Sequence, residues 1–197
     1  MAKKYYAVRS GRQTGIFKSW DECKRQVTGF KGAAFKGFDT LAEAENFISG
    51  ASGAETAPRE GAVTAYVDGS YNIRTKVFAY GAVIFDNGEV MMNGAFSDEE
   101  LAKMRNVAGE IKGAMAAMSY CAERGIKKLD LYYDYEGIEK WCTGEWKTNK
   151  RGTAEYKAFY DALKDKLNVR FIKVKGHSGD KYNDMADRLA KDAAGVE

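Results

Sequence analysis

Proline occurs once in the 197 residues, histidine once and cysteine three times. Pro58 lies in ASGAETAPREG (residues 51–61), a stretch with no bulky apolar side chain, which reads as a linker dividing the chain. Cys23, Cys121 and Cys142 are too few and too widely spaced for a disulfide framework or a zinc cluster. Each falls in an expected helix and reads as a small buried hydrophobe in a reducing compartment. No apolar run approaches the roughly 20 residues that span a bilayer. Met1-Ala2-Lys3-Lys4 passes directly into the strand-like Tyr5-Tyr6-Ala7-Val8, without an apolar or Arg- and Ser-rich leader pattern. A cytoplasmic chain without a membrane partner is therefore expected.

Hydrophobic residues make up 45% of the sequence and charged residues 30%, the balance of a packed globular protein. The net charge of +3 conceals a division. Residues 1–38 hold nine Lys/Arg against Asp21 and Glu22, a net +7, and residues 39–197 hold 22 basic and 26 acidic groups, a net −4. A basic module thus precedes a mildly acidic one. That asymmetry suits a polyanionic partner for the first part, with a solvated basic face as the plain alternative.

The pattern places a small module at residues 3–50, the linker at 51–61 and a larger domain at 62–195. In the first, strands at Tyr5–Val8 and Gly15–Phe17 precede a helix opened by the capping box Ser19-Trp20-Asp21-Glu22. A third strand at Ala33–Phe38 and a second box, Thr40-Leu41-Ala42-Glu43, follow. In the second, Ala62–Asp68 alternates with Val63, Ala65 and Val67 on one face. Strands at 77–85 and 89–96 flank the hairpin signal Asp86-Asn87-Gly88. Ser97-Asp98-Glu99-Glu100 is expected to cap one long helix with the stripe Leu101, Met104, Ala108, Ile111, Met115, Met118 and Ala122. A strand at Lys128–Tyr133, helices near 135–142 and 154–166, a strand at Val169–Val174 and a helix over 180–194 complete the chain. A meander followed by alternating helices and strands implies an α/β fold with a mixed five-stranded sheet and helices on its faces.

Four carboxylates fall where such a sheet can gather them. Asp68 and Asp134 end strands that, as parallel neighbours, would share one sheet edge. Glu110 lies within the long helix, and Asp187 follows Asn183 by one turn of the last helix. Crowded carboxylates repel and require a cation, and hard oxygen ligands suit Mg²⁺ or Mn²⁺ rather than zinc. Two such ions about 4 Å apart would serve phosphoryl chemistry.

Val67-Asp68-Gly69-Ser70, Arg105-Asn106-Val107-Ala108-Gly109-Glu110, Tyr133-Asp134-Tyr135-Glu136, Lys175-Gly176-His177-Ser178-Gly179 and Asn183-Asp184-Met185-Ala186-Asp187-Arg188-Leu189-Ala190 resemble, in order, the motifs of type 1 ribonuclease H. The resemblance covers residues 62–194. It implies the ribonuclease H-like fold and endonucleolytic hydrolysis of RNA in an RNA–DNA hybrid, leaving 5′-phosphate and 3′-hydroxyl ends. It also implies two Mg²⁺ ions held by Asp68, Glu110, Asp134 and Asp187, with Mn²⁺ as an alternative. Asn183 resembles a polar support of the last helix. His177, in a glycine-flanked loop, resembles a histidine that serves proton transfer or product release.

Substrate contacts follow from the same resemblance. Asn106 and Glu136 resemble positions that read the minor groove and ribose of the RNA strand, where the 2′-hydroxyl separates RNA from DNA. Asn72 is a further candidate, and Trp146 with neighbouring cations is a candidate for the DNA-strand channel or for the core. The chain departs from the family where Tyr71-Asn72-Ile73-Arg74-Thr75 replaces a Gly-Asn-Pro-Gly turn. Arg105 occupies the place of a phosphate-binding threonine, and a basic handle between the middle helices is absent. Residues 5–48 resemble the hybrid-binding domain that precedes some ribonucleases H, with Gly37 where a lysine is frequent. That resemblance implies Tyr6, Trp20 and Phe35 against sugars of the DNA strand and Arg12 and Lys36 on phosphate, with core packing as the alternative for the aromatics.

The expected molecule is a monomeric two-module hybrid nuclease whose N-terminal module could also hold double-stranded RNA. A catalytically silent hybrid- or duplex-RNA-binding protein is the alternative. A third reading, DNA transfer or junction cutting on the same fold, is disfavoured by the short chain.

Overall fold

The computed structural model describes residues 5–41, 44, 47–48, 58–174 and 180–196. It divides into two units, residues 1–57 and 58–197.

In the first unit, β1 (Tyr5–Ser10) is flanked by β2 (Gly15–Phe17) and β3 (Ala34–Phe38) in an antiparallel sheet ordered β2-β1-β3. Helix α1 (Trp20–Val27) begins as expected, because the Ser19 hydroxyl accepts the Glu22 N–H at 3.3 Å. Val8, Cys23 and Val27 form the small core. The second expected box, Thr40–Glu43, lies partly outside the described residues, although Leu41, Ala44, Phe47 and Ile48 are helical.

The second unit contains the expected mixed sheet, ordered β6-β5-β4-β7-β8. Strands β4 (Val63–Tyr71), β5 (Phe78–Phe85) and β6 (Glu89–Phe96) form the antiparallel meander. Strands β7 (Lys128–Tyr133) and β8 (Asn168–Lys173) add in parallel. Val63, Ala65, Val67, Leu129, Leu131 and Tyr133 share the large core with Ala108, Ile111, Met118 and Tyr156. These last come from α2 (Asn106–Glu123) and α4 (Arg151–Leu163), while α3 (Gly137–Thr143) contributes Ile138, Trp141 and Cys142. Helix α5 (Lys181–Ala194) packs on β4, β5 and β6.

The long helix expected from Leu101 is interrupted. Residues Leu101–Met104 form a 3₁₀ turn, and Arg105 (φ 55°, ψ −133°) breaks it before α2 starts at Asn106. Asp98, not Ser97, caps the turn, accepting the N–H groups of Glu100 (3.0 Å) and Leu101 (2.9 Å). Leu101, Met104, Ala108, Ile111 and Met118 nevertheless share one core, whereas Ala122 is exposed and Cys121 takes its expected inward place. The three cysteines are free and buried.

Residues 58–61, read as linker from the sequence, are held by the second unit. Arg59 donates from Nε to Asp130 Oδ1 at 2.7 Å and from its backbone N–H to Oδ2 at 3.0 Å. Arg170 donates to the same two oxygens at 3.0 and 2.6 Å, so the fully buried Asp130 is enclosed by two guanidinium groups. Arg59 also reaches the carbonyls of Leu129 and Asn168 and the side-chain oxygen of Asn168.

Candidate metal centre

Parallel pairing sets the site. The register runs Thr64 opposite Asp130 and Tyr66 opposite Tyr132, and two residues beyond the last pair stand Asp68 and Asp134. Glu110 arrives from α2 because the helix backbone presses onto β4 and β5 at two glycines, Gly69 and Gly109. A Cβ on Gly109 would lie 2.0 Å from the Ala79 carbonyl oxygen, and one on Gly69 would lie 2.2 Å from that of Asn106 and 2.4 Å from the Glu110 nitrogen. Only glycine permits that approach. Gly81 gives α5 the same freedom, since a Cβ there would meet the Ala186 oxygen at 2.1 Å. Asp187 sits on that helix.

The outcome is a cavity of about 490 Å³ lined by Asp68, Ser70, Arg105, Asn106, Glu110, Asp134, Tyr135, Asp187 and Lys191, among others. Carboxylate oxygens of Asp68, Glu110 and Asp134 all lie within 4.8 Å of one another. Glu110 is only 2% exposed, and its Oε2 has no hydrogen-bond partner among the described residues. Its Oε1 accepts from Asn106 Nδ2 at 3.3 Å. Burial, then repulsion from Asp134 and Asp68, pushes the Glu110 carboxyl up to about 9. Burial and the Asp134 charge push Asp68 up to about 7, partly offset by the Gly69 N–H that Asp68 accepts at 2.7 Å. An orphaned buried oxygen among three converging carboxylates, two of them pushed towards the neutral form, fits a site built for hard divalent cations. Asp187 lines the same cavity, paired at 2.6 Å with Lys191.

The remaining predicted contacts divide. Asn106 lines the cavity. Glu136 lies outside the lining and is held between Lys140 (2.9 Å) and Lys173 (2.5 Å), which keep its carboxyl down at about 2. Trp146 is half-exposed, edge-on to Tyr135 and Trp141, with the Lys140 ammonium over its ring at 5.3 Å. It adjoins a second groove of about 340 Å³ lined by Lys103, Arg105, Asn106, Tyr135, Lys147 and Lys150, among others. Asn72 proves structural. It is buried, its Nδ2 donates to the carbonyls of Ala194 (3.1 Å) and Gly195 (2.7 Å), and its Oδ1 accepts from Arg74 and Thr75. Every hydrogen-bonding position of its amide is thereby used, leaving none for a ligand. His177 lies outside the described residues.

In the first unit, Trp20 stacks obliquely between Tyr6 and Phe35, both centroids 5.7 Å away, and Trp20 and Phe35 are exposed rather than core. Lys36 is also exposed, over the Phe38 ring. Arg12 Nη1 donates to the carbonyls of Arg25 (3.0 Å) and Thr28 (2.7 Å), closing the end of α1. Lys191 and Tyr135 also line the cavity and were not among the expected site residues. Lys191 was legible in the sequence, four residues after Asp187 on one helix face.

A set of carboxylates, Asp68 and Glu110 buried, converging beyond the parallel pairs of a mixed sheet has the chemistry of a metal-dependent phosphodiester centre. The ribonuclease H family model matches residues 60–195, and that of the Ribonuclease H1 N-terminal domain matches residues 4–48. Ribonuclease H1 of Rattus norvegicus is 30% identical, the alignment covering 96% of this chain and 89% of the rat protein. Ribonuclease H of Acetivibrio thermocellus is 31% identical over 66% of this chain and 92% of its own length. The crystal structure of RNase H1 from Halobacterium salinarum NRC-1 superposes with a TM-score of 0.56 at 25% identity, covering 68% of this chain and 97% of that one. The chain belongs to the ribonuclease H family, with the N-terminal domain found in ribonuclease H1. Its activity is endonucleolytic cleavage of the RNA strand of RNA–DNA hybrids.

Proposed function

We propose that Asp68, Glu110, Asp134 and Asp187 together hold two Mg²⁺ ions and direct water at the RNA phosphodiester, leaving 5′-phosphate and 3′-hydroxyl ends. The observation that carries this reading is the convergence of three carboxylates within 4.8 Å around an unpartnered Glu110 oxygen. When bound, the ions supply Lewis acidity and offset negative charge on the phosphate. The protein supplies position. Asp68 and Asp134 are fixed by parallel strands, Glu110 by the contact between Gly69 and Gly109, and Asp187 by the helix seated on Gly81. Asn106, hydrogen-bonded to Glu110 at the cavity wall, stands where a ribose 2′-hydroxyl can be read by a side-chain amide.

The adjoining groove, with Lys103, Arg105, Lys147 and Lys150 beside Trp146, is suited to the backbone of the uncleaved DNA strand. The row of partly buried Tyr6 and exposed Trp20 and Phe35, with Lys36, makes the first unit a holder of hybrid duplex, with double-stranded RNA as a second ligand. His177, within the glycine-flanked loop, is assigned to proton transfer or product release. Three buried free cysteines suit a reducing cytoplasm, and the chain is read as a monomer.

Strand-labelled RNA–DNA hybrid, DNA duplex and RNA duplex should be incubated with Mg²⁺ alongside Asp134→Asn. Cleavage confined to the RNA of the hybrid and lost in the variant is expected. Undiminished cleavage by Asp134→Asn would refute the site assignment.

A further inference from the structure

The four carboxylates of the cavity are not equivalent. Among the described residues, only Asp68, Glu110 and Asp134 bring oxygens within 4.8 Å of one another. Asp187 stands outside that set, and its Oδ2 lies 2.6 Å from the Lys191 ammonium one turn further along α5. Both side chains line the cavity; that of Asp187 is 20% exposed and that of Lys191 is 43% exposed.

A charge-assisted contact of this length occupies the lone-pair region a cation would use. An ammonium and a divalent cation cannot both take the same oxygen without strong repulsion. The order along the helix, acid four residues before base, also favours the pair. Asp187 raises the energy of an ionised Asp68, and Lys191 lowers it. The lysine thus reduces the repulsion that the acidic cluster carries in its metal-free state.

We propose that Lys191 is a resident counter-ion of Asp187, yielding that oxygen when a divalent cation binds and thereby setting the metal affinity of the site. It is a positioning residue, since it acts through Asp187. The inference rests on the reading that Asp187 is a metal ligand. Once displaced, the ammonium remains on its flexible stem at the cavity wall, where an incoming phosphodiester offers a new anionic partner.

The sign of the effect separates this role from a structural one. Loss of a residue that merely supports the site would weaken cation binding, whereas loss of a competing counter-ion tightens it. The test is calorimetric titration of Mn²⁺ and of Mg²⁺ into the full chain without nucleic acid. The parent is compared with Lys191→Met, Lys191→Gln, the charge-retaining Lys191→Arg, and Arg188→Met, which removes an exposed cation from the same helix.

Both neutral variants at Lys191 should bind Mn²⁺ with Kd roughly two- to fivefold lower than the parent. Lys191→Arg and Arg188→Met should retain the parent value. Equal or weaker binding by the neutral variants that keep the parent's circular dichroism would overturn the proposal. Equal tightening in Arg188→Met would do so too, because it would reveal a general effect of net charge. A parent that binds neither cation would remove the metal-site reading itself, and this inference with it.

Discussion

At the scale of single residues, the site is a balance between burial and charge, and pH shifts that balance in a defined direction. Glu110 moves from its ordinary 4.5 to about 9 in the metal-free fold. A carboxyl raised on folding contributes stability that is complete below its unfolded value and disappears as pH climbs through the folded one. The metal-free protein should therefore lose melting temperature between about pH 5 and pH 9. Glu110→Gln, neutral at every pH, should flatten that decline and melt roughly 2–8 °C higher than the parent at pH 8, while losing activity. Scanning calorimetry in chelator across pH checks it, and a variant melting below the parent at pH 8 contradicts it. Asn72 gives the opposite case. Asn72→Ala leaves the carbonyls of Ala194 and Gly195 without a side-chain donor, so it should cost about 1–3 kcal/mol in urea unfolding with the hybrid KM unchanged. The difference between these residues explains what the sequence exposed. Asp68 and Asp134 were readable because alternation sets the register of their strands, although β4 runs on to Tyr71 and Asp68 is not at its end: both acids stand just beyond the last parallel pair. Glu110 and Asp187 needed the family resemblance, since a carboxylate on a helix has solvent as its default partner. The Asn72 contacts to Ala194 and Gly195 were not legible, because those partners lie more than 120 residues away.

At the scale of elements, strand positions and the helix carrying Glu110 were legible, and the break that sets the start of that helix was not. Alternation and the Asp86-Asn87-Gly88 turn place β4, β5 and β6 to within three residues, because a period of two and a left-handed Asn87 (φ 52°) are local properties. The break before α2 has no such signal. Arg105 adopts a positive φ that arginine does not prefer, and the apolar spacing continues through it. What enforces the break is tertiary: the 3₁₀ turn must pack Leu101 and Met104 into the core, while α2 must lie within backbone contact of β4. That contact is testable at Gly109. In Gly109→Ala the new methyl would sit 2.0 Å from the Ala79 oxygen of β5 and 2.9 Å from the Gly69 Cα of β4, so the helix must withdraw from the sheet. The expected cost is about 1–3 kcal/mol from overpacking, against the gain in helix propensity that alanine gives elsewhere. Because Glu110 follows directly, kcat should fall by at least tenfold at temperatures where the variant remains folded. Parent-like kcat in a folded Gly109→Ala would show that the close approach does not position Glu110.

At the scale of the whole molecule, the chain joins a net basic unit to one whose 22 basic and 22 acidic groups balance, and the point where the second begins has consequences. Composition alone ended the linker at residue 61, since nothing local distinguishes Arg59 from its neighbours. The fold gives Arg59 to Asp130, a fully buried carboxylate that Arg170 also holds. Such a charge is tolerated only while its partners remain, and removing one partner of a buried ion pair costs about 3–5 kcal/mol. Two truncations separate this clasp from the contribution of the first unit. Removing residues 1–57 deletes the cationic module and leaves Arg59 in place. It should preserve stability and kcat, raise KM for the hybrid and flatten the dependence of KM on salt, because fewer phosphates are neutralised. Removing residues 1–61 deletes the clasp as well, leaving Asp130 with Arg170 alone, and should lower the unfolding free energy by several kcal/mol relative to the first truncation. Asp130→Asn in the full chain should approach the same loss, since an amide cannot satisfy two guanidinium groups. Equal stability of the two truncations would mean that Arg59 is an incidental surface contact. An unchanged KM after the first would mean that the second unit captures its polyanionic substrate unaided.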